Sequence, residues 1–203
     1  MRKDFRALYS PSPKAPAFVD VPPMNFLIVD GAGSPDATPS FQEAIQALFS
    51  VSYTLKFALK KAGLADVRVM PLESLWWSKG SSKLRLDRKG DWRWTAMVMQ
   101  PPPVCRRRAE ATVRRLADEK GLPALPRVRF ERFAEGRAAQ ILHIGPYAEE
   151  RPTIERLASF IEENGCRSAG KHHEIYLSDP RRTAPERIRT VIRHPVKPSG
   201  KSR

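Results

Sequence analysis

The sequence predicts an α+β fold built from two successive modules, each offering one long helix and a largely antiparallel sheet. Three observations carry this. Residues 41–61 and 153–164 keep helical apolar spacing, through Ala44, Ile45, Leu48, Val51, Leu55, Ala58 and Leu59 in the first and Ile154, Leu157, Ala158 and Ile161 in the second. Short alternating runs flank both helices. The order strand, strand, Gly-containing turn, long helix, strand, strand occurs twice, with Ile28-Val29-Asp30-Gly31 standing where Leu142-His143-Ile144-Gly145 stands in the second half. Neither module buries its sheet alone, and pairing the two leaves a central groove, a common place for a ligand.

The elements follow in order. Residues 1–16 carry three prolines and no periodicity, the pattern of an extended or mobile lead-in. Phe18-Val19-Asp20-Val21 is a first strand closed by Pro22-Pro23, and Phe26–Asp30 is a second, broken by Gly31-Ala32-Gly33. Ser40 with Glu43 three residues on forms a capping box for the first helix, which Gly63 stops. Val67–Met70 reads as a short strand, Ser78–Gly90 as a polar loop and Trp92–Gln100 as an alternating strand ended by Pro101-Pro102-Pro103. Residues 106–120 make a basic amphipathic helix. Val128–Phe133 and Ala138–Ile144 read as antiparallel strands joined near Glu135-Gly136. After the second long helix and Gly165 come a strand at 172–177 and a last one at 190–196. Module one is thus expected over about 17–100 and module two over about 127–197, with a basic tail at 198–203.

At 203 residues the chain buries enough surface to need no disulfide or metal staple. Cys105 and Cys166 are far apart and lack CxxC spacing, so two reduced thiols are expected. No apolar run approaches a membrane span and no signal-like segment follows Met1, so a cytoplasmic location is expected. The net charge of +14 is spread over several elements, at Arg106-Arg107-Arg108, Arg114-Arg115, Arg181-Arg182 and beyond, with Asp and Glu interleaved. No base-reading motif accompanies it, so the expectation is a solvated basic surface without specific nucleic-acid recognition.

The most chemically suggestive stretch is His172-His173-Glu174-Ile175-Tyr176-Leu177, which a Ser-Asp-Pro sequence stops. On a strand, Ile175 and Leu177 share one face while His172, Glu174 and Tyr176 share the other, roughly 7 Å apart in a row. Such a row is either solvated surface or the floor of a pocket. As a pocket floor it sets a partly desolvated carboxylate beside an imidazole and a phenol, able to bind a cation or to take a proton from water. His172 and His173 point to opposite faces and cannot hold one metal together, so neither a metal nor a cofactor is expected.

Several stretches together resemble the GyrI-like small-molecule-binding family, named for DNA gyrase inhibitor proteins and found also as the effector-binding part of some transcription activators. They are Pro71–Trp77, Trp92-Arg93-Trp94 with Met97–Pro101, His143-Ile144-Gly145-Pro146-Tyr147, and His172–Thr183, and the resemblance spans roughly residues 17–197 in its stand-alone branch. It implies tandem strand–helix–strand–strand modules around a pseudo-twofold axis, with a ligand groove between them. It also implies Glu174 as the central acid, Tyr176 beside it, and Trp76, Trp77 and Trp94 as an aromatic wall; His172, read from its place on the same strand face, is expected to orient the carboxylate. The family's helix-turn-helix segments have no counterpart here, so transcription-factor activity is not carried over, and a gyrase partner is not expected.

The residues leave several alternatives open. Trp92 and Trp94 fit either a core or a pocket wall, and adjacent Trp76 and Trp77 cannot both face inward on a regular strand. Tyr53, near Phe49 and Phe57, is expected in the core, Tyr147 as a turn anchor, and Glu73 as either a second pocket carboxylate or a surface residue. Two functions compete for the same groove. One is a module that binds aromatic or cationic small molecules. The other is a hydrolase of electrophilic, cyclopropane-containing aromatics, an activity reported for some stand-alone members, with Glu174 activating water and Tyr176 steadying charge.

Overall fold

The computed structural model describes residues 7–35 and 37–200. In chain order the elements are β1 (Ala17–Val21), β2 (Met24–Ala32), α1 (Ser40–Lys61), β3 (Leu72–Ser78), β4 (Trp92–Met99), α2 (Arg106–Lys120), β5 (Arg129–Phe133), β6 (Gly136–Ile144), α3 (Arg151–Glu163), β7 (Cys166–Ser168), β8 (His172–Tyr176) and β9 (Arg189–Pro198). They divide into two compact units, Pro23–Phe133 and Met1–Pro22 with Ala134–Arg203.

In the unit Pro23–Phe133 the strands run β3-β4-β2-β5, each pair antiparallel. Helix α1 lays one apolar stripe on this sheet, burying Phe41, Ala44, Ala47, Leu48, Val51, Leu55 and Leu59. Trp76 and Trp94 sit opposite one another in the β3–β4 register, and Trp94 sits opposite Gly31 in the β4–β2 register, so all three share the helix-facing side. The indole of Trp94 fills the space that a Cβ on Gly31 would need, and glycine there is a packing requirement.

In the other unit the strands run β1-β6-β9-β8, again antiparallel, with β7 on β9. Helix α3 sends Leu157 and Ile161 onto Ala139, Ile141, Ile192 and Val196, and this cluster is the unit's core. The strand–helix–strand–strand order thus occurs once in each unit, as β2-α1-β3-β4 and as β6-α3-β8-β9 with β7 added.

The differences from expectation concern pairing more than element type. β1, expected to open the first module, pairs with β6 instead. β5 and β6 are not a hairpin, because β5 pairs with β2. β5 thus closes the unit of the strands before it, and β1 joins the strands of the later unit. Residues 67–70 form no strand. Ser40 is the first residue of α1 and not its cap. Pro39 holds that place without a side-chain cap, and the Ser40 hydroxyl meets Thr38 at 3.0 Å. In the lead-in, residues 7–9 are helical, with Leu8 and Tyr9 buried, while residues 1–6 and tail residues 201–203 lie outside the described ones. Tyr53 is 47% exposed and Phe57 60%, their rings stacked one turn apart on the outer face of α1, so the core placement of Tyr53 does not hold. No described helix is long and apolar enough to cross a membrane.

Candidate functional site

Strand β8 brings its three polar residues into one hydrogen-bonded row. His172 Nε2 lies 2.7 Å from Glu174 Oε1, and the Tyr176 hydroxyl donates to Glu174 Oε2 at 2.6 Å. The other imidazole nitrogen of His172 lies 2.9 Å from His194 Nε2 on β9. Register explains the meeting. Glu174 stands opposite Ile192 and Tyr176 opposite Thr190, so Thr190, Ile192 and His194 share the face of the row. Ile192 packs under α3, and this face is therefore neither bare nor solvated. The Glu174 side chain keeps 14% of its surface in water.

The turn before α3 adds two further groups. His143 bonds Thr153 through Nδ1 at 2.9 Å and meets the Pro146 carbonyl at 3.3 Å, pinning the Gly145-Pro146-Tyr147 turn. Gly145 has φ 139°, and a Cβ there would press on the His143 ring. The turn sets the Tyr147 ring edge-on to Tyr176 at 5.8 Å, and it delivers Glu150 to the start of α3. Glu150 is 5% exposed while Glu149 beside it is exposed.

Burial sets the charges of this cluster. For Glu174 burial alone favours the neutral acid. The hydrogen bond and charge of His172, with the Tyr176 hydroxyl and Glu150, outweigh it and hold the carboxyl below its ordinary range. Glu150 goes the other way, pushed up to about 9 by burial and then by the Glu174 charge. The Tyr147 phenol is raised to about 12, by burial first and then by Glu150, Glu174 and Asp179. His194 is lowered to about 3, by burial first and then by the His172 charge, so it is a neutral imidazole at ordinary pH. Chemically the row is an ionised, mostly buried carboxylate held by two donors, next to a protonated carboxyl.

Glu150, His172 and Glu174 each bring a ligand atom within 4.8 Å of the others, the donor types of a metal site. His172 Nε2 and both Glu174 oxygens are engaged with one another and with Tyr176, whereas Glu150 Oε1 is buried without a partner. His173, on the opposite face of β8, belongs to a second buried network. Its Nδ1 meets Glu135 at 2.9 Å, and Arg193 meets the same carboxylate at 3.2 Å, Gln140 at 3.0 Å and the Leu8 carbonyl at 2.6 Å. Arg193 is thus a buried structural arginine, unlike the solvated surface charges expected from the sequence.

The expected tryptophans lie in the unit Pro23–Phe133, and β3 divides them. Trp94 is fully buried with its ring 5.0 Å from Phe41, and Trp76, 4% exposed, lies 5.1 Å from the same ring. Trp77, partly exposed, points to the other face and shares it with Glu73 and Leu75. Glu73 is 0% exposed, which excludes its surface alternative. Sequence reasoning missed Glu150 and His194. Nothing local distinguishes Glu150 from Glu149, and His194 joins the row only through strand register.

The family described as GyrI-like small molecule binding domain matches residues 14–197. Among solved structures, an uncharacterized conserved protein from Listeria innocua is 38% identical, with a TM-score of 0.88 over 97% of this chain and 98% of that one. Two structures described as hydrolases from Listeria innocua are each 36% identical over 97% of this chain and 98% of theirs, with TM-scores of 0.83 and 0.85. No curated protein matches the chain.

Proposed function

The chain belongs to the GyrI-like small-molecule-binding domain family, and from that premise we propose that it binds aromatic, cationic small molecules with Glu174 as the carboxylate that meets the guest's charge. The observation that carries this is the state of Glu174, ionised, 14% exposed and fixed by His172 and Tyr176. A carboxylate held out of water attracts a cation far more strongly than one on the surface, and its positioning is already done by its donors. The edge-on pair of Tyr176 and Tyr147 adds aromatic surface beside the charge, suited to a flat guest.

The test is calorimetric titration of the full chain with 1-methyl-2-phenylpyridinium, a permanently charged aromatic, and with its neutral isostere 2-methylbiphenyl. Wild type is expected to prefer the cation. In Glu174→Gln the cation loses about 2–5 kcal/mol and the neutral guest changes little. Equal affinity of wild type for the two guests sinks the reading.

One observation favours a second reading, hydrolysis: two relatives at 36% identity are described as hydrolases. On that reading Glu174 takes a proton from a water whose oxygen bonds to the electrophilic cyclopropane carbon, the strained C–C bond to that carbon breaks with its electron pair passing into the conjugated aromatic system, and Tyr176 steadies the charge that develops there. Turnover of a cyclopropane-containing aromatic electrophile by wild type, with Glu174→Gln still binding the uncharged substrate but no longer converting it, would support it. Binding without turnover in wild type would leave the binding module alone.

A further inference from the structure

Glu150 stands immediately before α3 with its carboxyl turned inward, and its Oε1 is buried without a hydrogen-bond partner. An orphaned buried oxygen is costly and unusual in a well-packed unit. The groups around it are Glu174 and His172 from β8, Thr190 from β9 and Tyr147 from the preceding turn. His172 is committed to Glu174 and His194. Two carboxyls this close do not both ionise without a counter-charge. Glu174 has two donors and keeps the negative charge. Glu150, with one oxygen unserved, keeps the proton, in line with the rise of its carboxyl to about 9.

We propose that Glu150 is a second guest-binding carboxyl of this site, ionised only when the guest carries a second positive charge close to the first, so that the site takes compact dicationic aromatics with the release of one proton. The proposal rests on the cation-binding reading above and extends it to a ligand class. The guest's first charge pairs with Glu174. Its second meets the Glu150 carboxyl, the O–H bond breaks, the electron pair stays on the carboxylate and the proton leaves to buffer. Two negative charges then face two positive ones, and the unserved Oε1 gains a partner.

The experiment compares diquat, a flat aromatic with two adjacent permanent charges, with the singly charged 1-methyl-2-phenylpyridinium. Neither probe titrates, so any proton comes from the protein. Calorimetric titrations of the full chain at pH 7, in buffers of differing ionisation enthalpy, count the protons released. Diquat is expected to release about one proton more than the monocation, and Glu150→Gln to abolish that difference. If diquat and the monocation release equal numbers of protons from wild type, a result that needs no variant, the proposal is overturned while cation binding stands. It is also overturned if the difference survives in Glu150→Gln. If neither probe binds wild type, the cation-binding reading falls, and this proposal falls with it.

Discussion

At the scale of single residues, the site is a contest over one proton. Glu174 and Glu150 share the same buried surroundings, yet one has His172 and Tyr176 as donors and the other has an unserved oxygen. The difference should be visible in stability. A carboxyl raised from 4.5 to about 9 in the fold binds more protons folded than unfolded. Its contribution is therefore fully present below pH 4.5 and is lost as pH climbs through about 9. Glu150→Gln should flatten the decline in stability over this window and raise Tm most at its alkaline end, as thermal melts across pH will show. A decline of wild-type steepness in the variant would contradict the assignment. His194 has the opposite sign: lowered from 6.5 to about 3, it withdraws stability as pH falls through that range. Alternation along 172–176 was enough to place His172, Glu174 and Tyr176 on one face, because a strand's side-chain period is fixed. It was silent on Glu150, since the inward turn of one of two adjacent glutamates is decided by where α3 begins, and no local pattern encodes that.

At the scale of elements, the long helices and most strands were legible because apolar spacing is a local signal. Strand partners were not. The runs at 129–133 and 136–144 read as a hairpin because they are consecutive, but β5 pairs with β2 and β6 with β1 and β9. Arg193 shows what this hides. As one of many arginines it reads as surface, yet on β9 its side chain is 1% exposed and joins Glu135, Gln140 and the Leu8 carbonyl, tying the segment before β1 to the sheet. Arg193→Met should cost about 3–5 kcal/mol in urea denaturation, because it leaves Glu135 buried with less counter-charge. Adding Glu135→Gln should recover part of that loss, and strictly additive effects would show the two residues to be uncoupled. In the unit Pro23–Phe133, Gly31→Ala drives a methyl group into the Trp94 indole and should cost about 1–3 kcal/mol by the same measurement.

At the scale of the whole molecule, the charge of +14 favours long-range attraction of polyanions. Among the described residues several arginines of the basic regions are paired with acids: Arg106 with Glu110, Arg115 with Glu119, and Arg129 with Asp30 and Glu131. Binding to duplex DNA should accordingly be weak, independent of sequence and steeply reduced by salt, as fluorescence anisotropy at two salt concentrations will measure. A complex that discriminates sequences at physiological salt would contradict this. For small molecules the expectation is specific: the charged group of an aromatic guest should be met by Glu174 within the His172–Glu174–Tyr176 row. A crystal structure of the full chain soaked with an iodinated 1-methyl-2-phenylpyridinium tests it most directly, because the anomalous signal of iodine locates the guest without reference to any assumed pose. The pyridinium nitrogen is expected within about 4–6 Å of the Glu174 carboxylate, the range over which opposite charges act strongly. A fully occupied guest bound elsewhere, with Glu174 still closed on His172 and Tyr176, would contradict it.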